Sequence, residues 1–397
     1  MEELGCFYGG LSGKTRDDFK DGNAKFITYK NIYSNLSLNL DVEDKVKIDE
    51  GENQNTIQYG DVLFTGSSET PDECGFSSVL TNNTNEKLYL NSFCFGYRLF
   101  NPTLFLPDFL KYLFRSQQIR NSIGKTASGV TRFNVSKKKM GKIRVPIPPI
   151  EVQREIVRIL DNFTELTAEL TAELTARKKQ YEYYRDELLN VEDRIENIEW
   201  KKLGEIFHIR NGYTPSKANL EYWTDGVVSW FRMEDIRRNG RILNDSIQHV
   251  SPIAVKGGKY IKAGSLILST TATIGEHALV NVDCLTNQQI TSFTIKDCLI
   301  KNLNVKYAFF YFFKLGKWCI HNTSNSGNLP IISLEKLRNY MMPVPPLEEQ
   351  ERIVAILDRF DKLCNDISQG LPAEIEARKK QYEYYRDKLL TFKEKAL

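Results

Sequence analysis

Apolar residues recur every three or four positions along two segments of the chain, and the residues between them are mostly polar. The first series runs through positions 152, 156, 159, 163, 166, 170 and 174 and resumes at 181, 184, 188, 191, 195 and 198. The second runs through 353, 356, 360, 363, 367, 371 and 375 and resumes at 382, 385, 389 and 392. Steps that alternate between three and four are typical of a coiled-coil seam. The pattern therefore predicts two long helices, each with a seam that the other covers.

Proline marks the predicted start of each helix. A Pro-Pro pair precedes both segments, at 148–149 and 345–346, and proline suits a helix entry better than a helix interior. From Ile150 to Asn197 the first helix would hold 48 residues and extend roughly 70 Å. Pro372 lies inside the second segment and predicts a kink or a helix restart there.

The two segments are copies of one another. Residues 176–189 read ARKKQYEYYRDELL and residues 377–390 read ARKKQYEYYRDKLL, which is identity at thirteen of fourteen positions. A second shared block, Pro-Pro-x-Glu-x-Gln, ends at Gln153 and at Gln350, and the two blocks lie four residues further apart in one copy. The first copy also carries a tandem Thr-Ala-Glu-Leu tetrapeptide at 167–174. The chain is therefore an internal repeat with a period of about 200 residues.

About 150 residues precede each helix, and their pattern is different. Short apolar runs at 62–64, 266–268 and 289–295 are bounded by Gly, Asn, Ser and Thr, which is typical of short strands. Residues 109–114 and 305–313 are predicted to form short helices. The predicted chain is α+β and has four segments: a mixed α/β lobe at 1–149, a repeated helix at 150–198, a second mixed lobe at 199–346 and the second repeated helix at 347–397.

Charge separates the lobes from the helices, although the whole chain carries only +3. Residues 1–150 carry +2 and 200–343 carry +8, whereas 151–199 carry −6 and 344–397 carry −1. Residues 111–144 hold ten basic side chains and no acidic one. Positive lobes are typical of proteins that contact phosphates, although a single basic run can also be a solvated face.

Composition argues against several other classes of protein. With 41% hydrophobic residues the chain is ordinary for a globular protein, and no apolar stretch approaches the ~18 residues of a membrane span. The beginning of the sequence lacks the basic and apolar regions of a signal peptide. Seven cysteines are too few for a disulfide scaffold, so we expect reduced thiols and a cytoplasmic protein.

No motif in the sequence predicts catalysis by this chain. Residues 9–15 resemble a phosphate-binding loop, but Tyr8 stands where that motif needs glycine, so we expect a flexible loop that approaches a phosphate backbone. Asn101-Pro102 lacks the second proline and the aromatic residue of an adenine-N6 methyltransferase motif. The cysteines form no C-x-x-C pair and the four histidines are scattered, so no metal site is expected.

Two different lobes, each followed by a copy of one long helix, resemble the specificity (S) subunits of type I restriction–modification enzymes. The paired ARKKQYEYYRD segments, the paired Pro-Pro-x-Glu-x-Gln entries, the Thr-Ala-Glu-Leu tandem and the opening of the second lobe at 200–205 carry the resemblance, which covers the whole chain. It implies two target recognition domains, each of which reads one half of a bipartite DNA target. It also implies that the helices pair as an antiparallel coiled coil, a spacer within a pseudo-twofold internal repeat.

The resemblance further implies a non-catalytic chain that works in a complex on double-stranded DNA. Two modification subunits would dock on it and supply S-adenosylmethionine and adenine-N6 methyltransferase chemistry. Restriction subunits would add an endonuclease that depends on ATP and Mg. We expect no cofactor, metal or membrane contact in this chain itself. One added tetrapeptide lengthens a helix by roughly 6 Å, or one to two base-pair rises, so the four-residue difference between the copies lies where half-site spacing would be set.

Base readout uses polar side chains that reach groove edges, and other contacts go to phosphate. Side chains of these kinds lie in loops rich in Gly, Ser, Thr and Asn in both lobes, where each would otherwise be an ordinary turn residue. In the first lobe the candidate DNA-binding residues are Ser12, Lys14, Thr15, Lys30, Thr65, Ser67, Lys125, Ser128, Thr131 and Arg132. In the second lobe they are Tyr213, Lys217, Arg232, Glu234, Ser269, Thr270, Thr271, Gln288, Gln289, Asn325 and Asn328.

Two other functions remain open at this point. A standalone DNA-modifying enzyme is opposed by the missing motifs, and methyl transfer by the purified chain alone would favour it. A coiled-coil scaffold that does not bind DNA is opposed by the positive charge of both lobes. Salt-dependent retention of the chain on DNA would separate that scaffold from a DNA-reading subunit.

Overall fold

The computed structural model divides the chain into two compact units. Unit 1 contains residues 1–172 and the residues from 374 onward, and unit 2 contains residues 173–373. Each unit therefore combines one lobe with a segment of both repeated helices. The structure describes four stretches of the chain: 1–196, 198–326, 329–365 and 370–392.

The first lobe is built from short strands and short helices. Its turns are rich in Gly, Asn and Ser, which favour turns over long extended segments. Its strands are β1 (Gly5–Gly9), β2 (Ala24–Ile27), β3 (Lys45–Val46), β4 (Thr56–Ile57), β5 (Val62–Thr65), β6 (Ser67–Ser68), β7 (Ser77–Val79), β8 (Leu88–Leu90), β9 (Cys94–Leu99), β10 (Ala127–Ser128) and β11 (Phe133–Val135). Its helices are α1 (Tyr29–Ser34), α2 (Pro107–Leu113), α3 (Gln117–Gly124) and α4 (Lys137–Gly141), and the long helix α5 (Ile150–Leu188) follows them.

The second lobe is also a mixture of short strands and helices. Its strands are β12 (Glu199–Lys202), β13 (Phe207–Asn211), β14 (Val228–Phe231), β15 (Ile242–Leu243), β16 (His249–Val250), β17 (Ser265–Ser269), β18 (His277–Val280), β19 (Cys284–Thr286), β20 (Ile290–Ile295), β21 (Ser324–Ser326), β22 (Leu329–Ile331) and β23 (Met341–Val344). Its helices are α6 (Leu203–Ile206), α7 (Met233–Asn239), α8 (Val305–His321) and α9 (Leu334–Asn339), and they are followed by α10 (Leu347–Asn365) and α11 (Leu371–Leu389). A helix thus begins one residue before Pro372, which confirms the predicted restart.

The two lobes share one topology. The main sheet has the strand order β1-β9-β5-β7 in the first lobe and β13-β20-β17-β18 in the second, where β15 is added parallel to β18. Neighbouring strands in both four-stranded sets are antiparallel. A parallel pair also recurs, β2 with β8 and β14 with β19, and β2 and β14 each lead into a short helix. The repeat that is visible in the helix sequences therefore extends to the lobes, whose sequences have diverged.

Within each unit, two helix segments run antiparallel. In unit 1 the rings of Phe163 on α5 and Tyr385 on α11 stack with their centroids 5.4 Å apart, and Val152 and Phe392 line a common groove towards the start of α5. In unit 2 the later part of α5 packs against α10, and the core contains apolar residues of both helices. The apolar series of each helix is therefore covered by the other repeat, as predicted.

Helix α5 is shorter than its apolar pattern predicts. It ends at Leu188 after 39 residues, or about 58 Å, and the predicted end, Asn197, lies outside the described residues. Asn190 departs from helical geometry with φ −84° and ψ 63°, and the Lys314 ammonium donates to its Oδ1 over 2.6 Å. Val191 continues the apolar spacing, but it is fully buried in the core of the second lobe. The predicted length was wrong because an apolar residue of the lobe core continues the three-and-four spacing of the helix seam beyond the end of α5.

The repeated Pro-Pro-x-Glu-x-Gln block attaches each helix to its lobe. Gln153 is fully buried, and its Oε1 accepts a hydrogen bond from Leu106 N at 2.9 Å. Its Nε2 donates to Leu104 O at 3.1 Å and to Pro148 O at 2.8 Å. One side chain thus satisfies three backbone groups that would otherwise be buried without partners, which explains why this position needs an amide.

Gln350 repeats this arrangement in unit 2. It is also fully buried, and its Oε1 accepts from Asn304 N at 2.8 Å. Its Nε2 donates to Asn302 O at 2.9 Å and to Pro345 O at 2.7 Å. We call these two residues the glutamine clamps.

Two negative findings concern the described residues alone. None of their helices is long and apolar enough to cross a membrane. They also contain no group of three His, Cys, Asp or Glu side chains that could hold a metal ion. The seven cysteines are free thiols, and five of them are buried.

Candidate nucleic-acid interface

Strand ends and turns of the second lobe meet at one edge of its main sheet. This polar edge of the second lobe consists of residues 211–214, 269–271 and 286–290. Backbone hydrogen bonds hold it together, since Gly212 N donates to Ile290 O and Thr270 N donates to Gln289 O, each over 2.9 Å. Because these bonds come from the backbone, the exposed side chains at this edge can vary without a change of framework.

The first lobe has an equivalent edge. This polar edge of the first lobe consists of residues 9–12, 65–67, 90–94 and 128–132. Gly10 N donates to Cys94 O at 3.3 Å and Gly66 N donates to Phe93 O at 2.8 Å, which are the same two bonds between the same strand ends. The two lobes therefore present equivalent edges built on equivalent backbone.

An asparagine organises the turn at the centre of each edge. Asn91 Oδ1 accepts from Phe93 N at 2.9 Å, and Asn287 Oδ1 accepts from Gln289 N at 3.2 Å. Such a side-chain-to-backbone bond two residues on is typical of an Asx turn. Asn91, Asn287 and the exposed ring of Phe93 were not among the residues predicted from the sequence. The available signal was an asparagine that stands three residues before an apolar strand in both lobes.

Nine of the candidate side chains are exposed. They are Ser12, Thr15, Lys30, Lys125, Ser128, Thr131, Arg132, Lys217 and Gln288. Several belong to the polar edges, and Arg132 is held in place there, because its Nε donates to Ser67 Oγ at 2.9 Å. These residues are available to a ligand of the lobes.

Four candidate side chains are buried and hold the edges together instead of facing solvent. Thr65 Oγ1 accepts from Phe76 N at 3.0 Å, and Ser67 Oγ accepts the bond from Arg132. Ser269 Oγ donates to Thr271 O at 3.0 Å, and the buried Thr270 Oγ1 donates to Gln289 O at 3.3 Å. Residue type alone did not separate these supports from exposed contacts, because strand ends are rich in Ser and Thr in either case.

Lys14 is not the free cation of a flexible loop that its glycine-rich surroundings predict. Its ammonium lies 2.5 Å from Glu52 Oε2, and its side chain is only 8% exposed. This hydrogen bond and a second one from Gln54 hold the pKa of Glu52 down, at about 2. Gln54 also donates to Ser12 O at 2.8 Å. The loop is therefore fastened to an acidic segment, and the lysine charge is neutralised.

Three candidates of the second lobe are half-buried in local networks. The Tyr213 hydroxyl donates to Ala254 O at 3.0 Å. Arg232 lies 3.4 Å from Glu234, which also pairs with Arg238 at 2.8 Å. The Arg232 Nε is buried without a hydrogen-bond partner among the described residues. These networks fix the orientation of the side chains beside the polar edge of the second lobe.

The remaining candidates of the second lobe differ in how far they are described. Thr271 and Gln289 are partly exposed at the polar edge, and the Gln289 Oε1 accepts from Asn287 Nδ2 at 3.2 Å. Asn325 belongs to strand β21, of which only the backbone is described at that position. Asn328 lies outside the described residues.

Part of the basic run at 111–144 is structural. The guanidinium of Arg115 donates to Ser77 O and Ile32 O, and that of Arg120 donates to Gly75 O. Burial lowers the pKa of both arginines to about 10. The expected phosphate-contacting surface is therefore smaller than the run, and its exposed part begins at Lys125 and includes the lysines of α4.

Comparison with known proteins identifies relatives of both halves of the chain. The sequence model of the family described as "Type I restriction modification DNA specificity domain" matches residues 7–177 and 195–377. The EcoprrI specificity subunit of Escherichia coli is 45% identical over 204 residues, 50% of this chain and 51% of that one. The EcoR124I/EcoR124II specificity subunit of E. coli is 41% identical over 65% of each chain. A putative type I specificity subunit of Haemophilus influenzae is 34% identical over 67% of this chain and 68% of its own length.

The matched part spans about half of the first of these relatives and 65% of the second. Among solved structures, a chain from a study of the assembly of "the type I R-M system" covers 98% of this chain and 97% of its own length with a TM-score of 0.66 and 19% identity. The HsdS subunit of Thermoanaerobacter tengcongensis covers 97% and 95% with a TM-score of 0.51 and 20% identity. These two structures show that the fold of lobes and paired helices is shared. Because the family model covers most of both halves, the chain belongs to the family of type I restriction–modification DNA specificity proteins.

Proposed function

We propose that this chain is the DNA-reading, non-catalytic subunit of a type I restriction–modification complex. Each lobe reads one half of a bipartite target in double-stranded DNA through its polar edge. One observation carries the proposal: the two lobes keep the same backbone bonds at this edge but carry different side chains on it. A protein that reads two unlike half-sites needs one framework with two sets of contacts.

Exposed cations beside the edges support phosphate contacts. Lys125 and the lysines of α4 lie on the surface of the first lobe, and Lys217 lies on the surface of the second. Phosphate contacts fix the register of a protein on the duplex without reading sequence. The buried and paired lysine, Lys14, is left out of this set.

The repeated helices support two copies of one partner. Packing explains why Tyr181 and Arg185 are identical to the corresponding residues of the second copy, because the side chains of Tyr181 and Arg185 are almost fully buried. It does not explain Tyr183 and Tyr384, which are 64% and 60% exposed. Two identical exposed faces on one chain match two copies of the same protein, which we take to be the modification subunits. These subunits would hold S-adenosylmethionine, and restriction subunits with ATP and Mg would join them.

The central test maps N6-methyladenine in cells with and without this chain. The expected result is a two-part motif with a fixed gap that disappears when the chain is deleted. An unchanged methylation map in an otherwise intact system would contradict the proposed function. DNA that is incubated with the purified chain alone is expected to show no methyl transfer, because the methyltransferase chemistry belongs to the partner subunits.

The partner proposal has its own test in the stoichiometry of the complex. Tyr183→Ala and Tyr384→Ala each alter one of the two identical faces, and the side chains are too exposed for the substitution to disturb folding. Native mass spectrometry is expected to find one modification subunit lost with each single variant and both lost with the double variant. Two subunits retained in the double variant would contradict docking on these faces.

A further inference from the structure

The turn at the centre of the polar edge differs between the lobes in chemical character. In the second lobe it carries the amides of Gln288 and Gln289, whereas in the first it carries Ser92 and Phe93. Phe93 is 60% exposed, although it is a large apolar side chain on a surface of polar residues. The packing of the lobe does not use the exposed part of this ring.

The backbone of Phe93 is held in place from two sides. The Asx turn from Asn91 fixes its backbone N–H, and Gly66 N donates to its carbonyl oxygen at 2.8 Å. A Cβ atom at Gly66 would lie only 2.6 Å from that oxygen, so a side chain at position 66 would displace the turn. The exposed ring therefore belongs to a preorganised turn, where a contact costs little ordering entropy.

Arg132 lies directly beside this ring. Its guanidinium carbon is 5.6 Å from the Phe93 ring centroid, and its Nε donates to Ser67 Oγ. That bond leaves the two terminal nitrogens for another acceptor, and no carboxylate of the described residues forms an ion pair with Arg132. The loop that presents it turns at Gly129, where φ is +150° and a Cβ would lie 2.0 Å from Arg132 O.

An apolar ring next to a free guanidinium end matches two kinds of group in the major groove, one apolar and one that accepts hydrogen bonds. The 5-methyl group of thymine is the apolar group that the groove presents, and the N7 and O6 of guanine are the acceptors that bind arginine through two bonds. Neighbouring base pairs rise by about 3.4 Å and are offset laterally by the helical twist. A separation of 5.6 Å therefore suits adjacent base pairs.

We propose that Phe93 and Arg132 together read a thymine next to a guanine in the half-site of the first lobe, Phe93 by contact with the thymine methyl group and Arg132 by bonds to the guanine. This inference rests on the proposed function of the chain and deepens it. The second lobe, with Gln289 at the position of Phe93, lacks the apolar contact. An amide there suits adenine, to which glutamine can make two hydrogen bonds.

Methylation maps of variants in cells test the pair. Phe93→Ala is expected to relax the motif at one position, and Arg132→Lys, which keeps the charge but loses the two-bond geometry, is expected to relax the adjacent position of the same half-site. The other half-site should not change. The matched control is Phe100→Ala, because Phe100 is 66% exposed at the opposite end of the same strand, and its map should equal that of the unaltered chain.

Binding measurements with the assembled complex identify the base contact. Replacement of the assigned thymine by uracil removes only the methyl group and should weaken binding about fourfold in the unaltered complex. The Phe93→Ala complex should bind the two DNA duplexes equally. Loss of the guanine contact in Arg132→Lys should weaken binding by about fivefold or more.

Several outcomes would overturn the inference and leave the proposed function intact. One is a bipartite motif, lost on deletion of the chain, in which neither half contains a thymine next to a guanine. Another is a Phe93→Ala map identical to that of the unaltered chain. A strong Phe93→Ala defect without any effect of uracil would also overturn it, since the ring would then act as a wedge between bases. If deletion of the chain leaves the methylation map unchanged, the proposed function itself fails.

Discussion

The two lobes share the hydrogen bonds that hold their frameworks together, and they carry different side chains on exposed positions of those frameworks. The glutamine clamps make the same three hydrogen bonds in both units, and the Asx turns of Asn91 and Asn287 occupy the same place on equivalent sheets. At the equivalent helix starts that follow β2 and β14, however, Lys30 stands where the second lobe has Glu234. Two copies of one scaffold therefore keep these supporting hydrogen bonds while they present different side chains to a ligand.

The largest expected effect comes from a change that leaves both lobes intact. Insertion of one Thr-Ala-Glu-Leu unit after Leu174 adds about 6 Å and a net rotation of about 40° to helix α5. Methylation at the original sites should disappear and reappear at sites with a gap longer by one or two base pairs. Genome-wide methylation mapping measures this.

Both half-sites should stay unchanged in the insertion variant, because neither polar edge is altered. A variant with Glu173→Gln, which changes the same helix without changing its length, should keep the original gap. Altered half-sites would contradict the separation of spacer and lobes.

The glutamine clamps should contribute equally to the two units. Gln153→Ala and Gln350→Ala each leave buried backbone groups without partners, so each should lower the free energy of unfolding of its unit by about 2–4 kcal/mol. Urea denaturation followed by circular dichroism measures the change. Gln118→Ala, at an exposed position of α3, should change it by less than about 0.5 kcal/mol. A large loss from only one of the clamps would show that the two attachments are not equivalent.

Acid should affect the two lobes differently. Burial lowers the pKa of His277 in the second lobe to about 3, whereas the equivalent strand position in the first lobe is Ser77. The unfolded chain binds the His277 proton more tightly than the folded chain does. The free energy of unfolding of unit 2 therefore carries no penalty from this histidine above pH 6.5, and it decreases as the pH falls from 6.5 towards 3. The histidine alone should cost unit 2 about 2–3 kcal/mol at pH 4.5.

The histidine prediction is measured as the difference in unfolding free energy between pH 7.5 and pH 4.5. His277→Gln should reduce that difference, since the amide does not titrate. An equal difference in the variant and the unaltered chain would mean that the carboxylates, not His277, determine the acid sensitivity of the unit.

The smallest expected effect concerns single phosphate contacts. Lys125→Ala and Lys217→Ala, one in each lobe, should each reduce the slope of log K against log salt concentration by about 1. Fluorescence anisotropy of a labelled target at several salt concentrations measures the slope. Lys14→Ala is the control and should leave it unchanged, because Glu52 already neutralises that lysine. An equal decrease for Lys14→Ala would show that the Lys14–Glu52 pair opens on DNA.

Local patterns allowed the helices and the repeat to be predicted from sequence. The apolar spacing and the paired Pro-Pro entries depend on neighbours along the chain, and the pairing of the two helices follows because each seam needs a cover. Their antiparallel direction was implied by the resemblance to specificity subunits and not by the spacing. The end of α5 could not be predicted in the same way. Val191 keeps the helical spacing, and only its burial in the lobe core, a contact made through distant residues, decides that it is not part of the seam.

The polar edge could be predicted only in part. Loops with Ser, Thr and Asn located it, but the role of each side chain depends on partners far away in sequence. Lys14 and Glu52 are 38 residues apart, and Arg120 bonds to a carbonyl 45 residues away. Phe93 was missed for the opposite reason, because an apolar residue next to a strand looks like core until its exposure is known.

The division of the chain into units also has a consequence for the order of events during synthesis. Unit 2 is one continuous stretch, residues 173–373, whereas unit 1 joins residues 1–172 to the segment from 374 onward. The ribosome therefore adds every residue of unit 2 to the chain before it adds the residues of α11 that complete unit 1. The Phe163 face of α5 has to wait for Tyr385, about 220 residues later, and closing so long a loop carries an entropic cost. The first lobe to be translated is thus the last to receive its full set of helices.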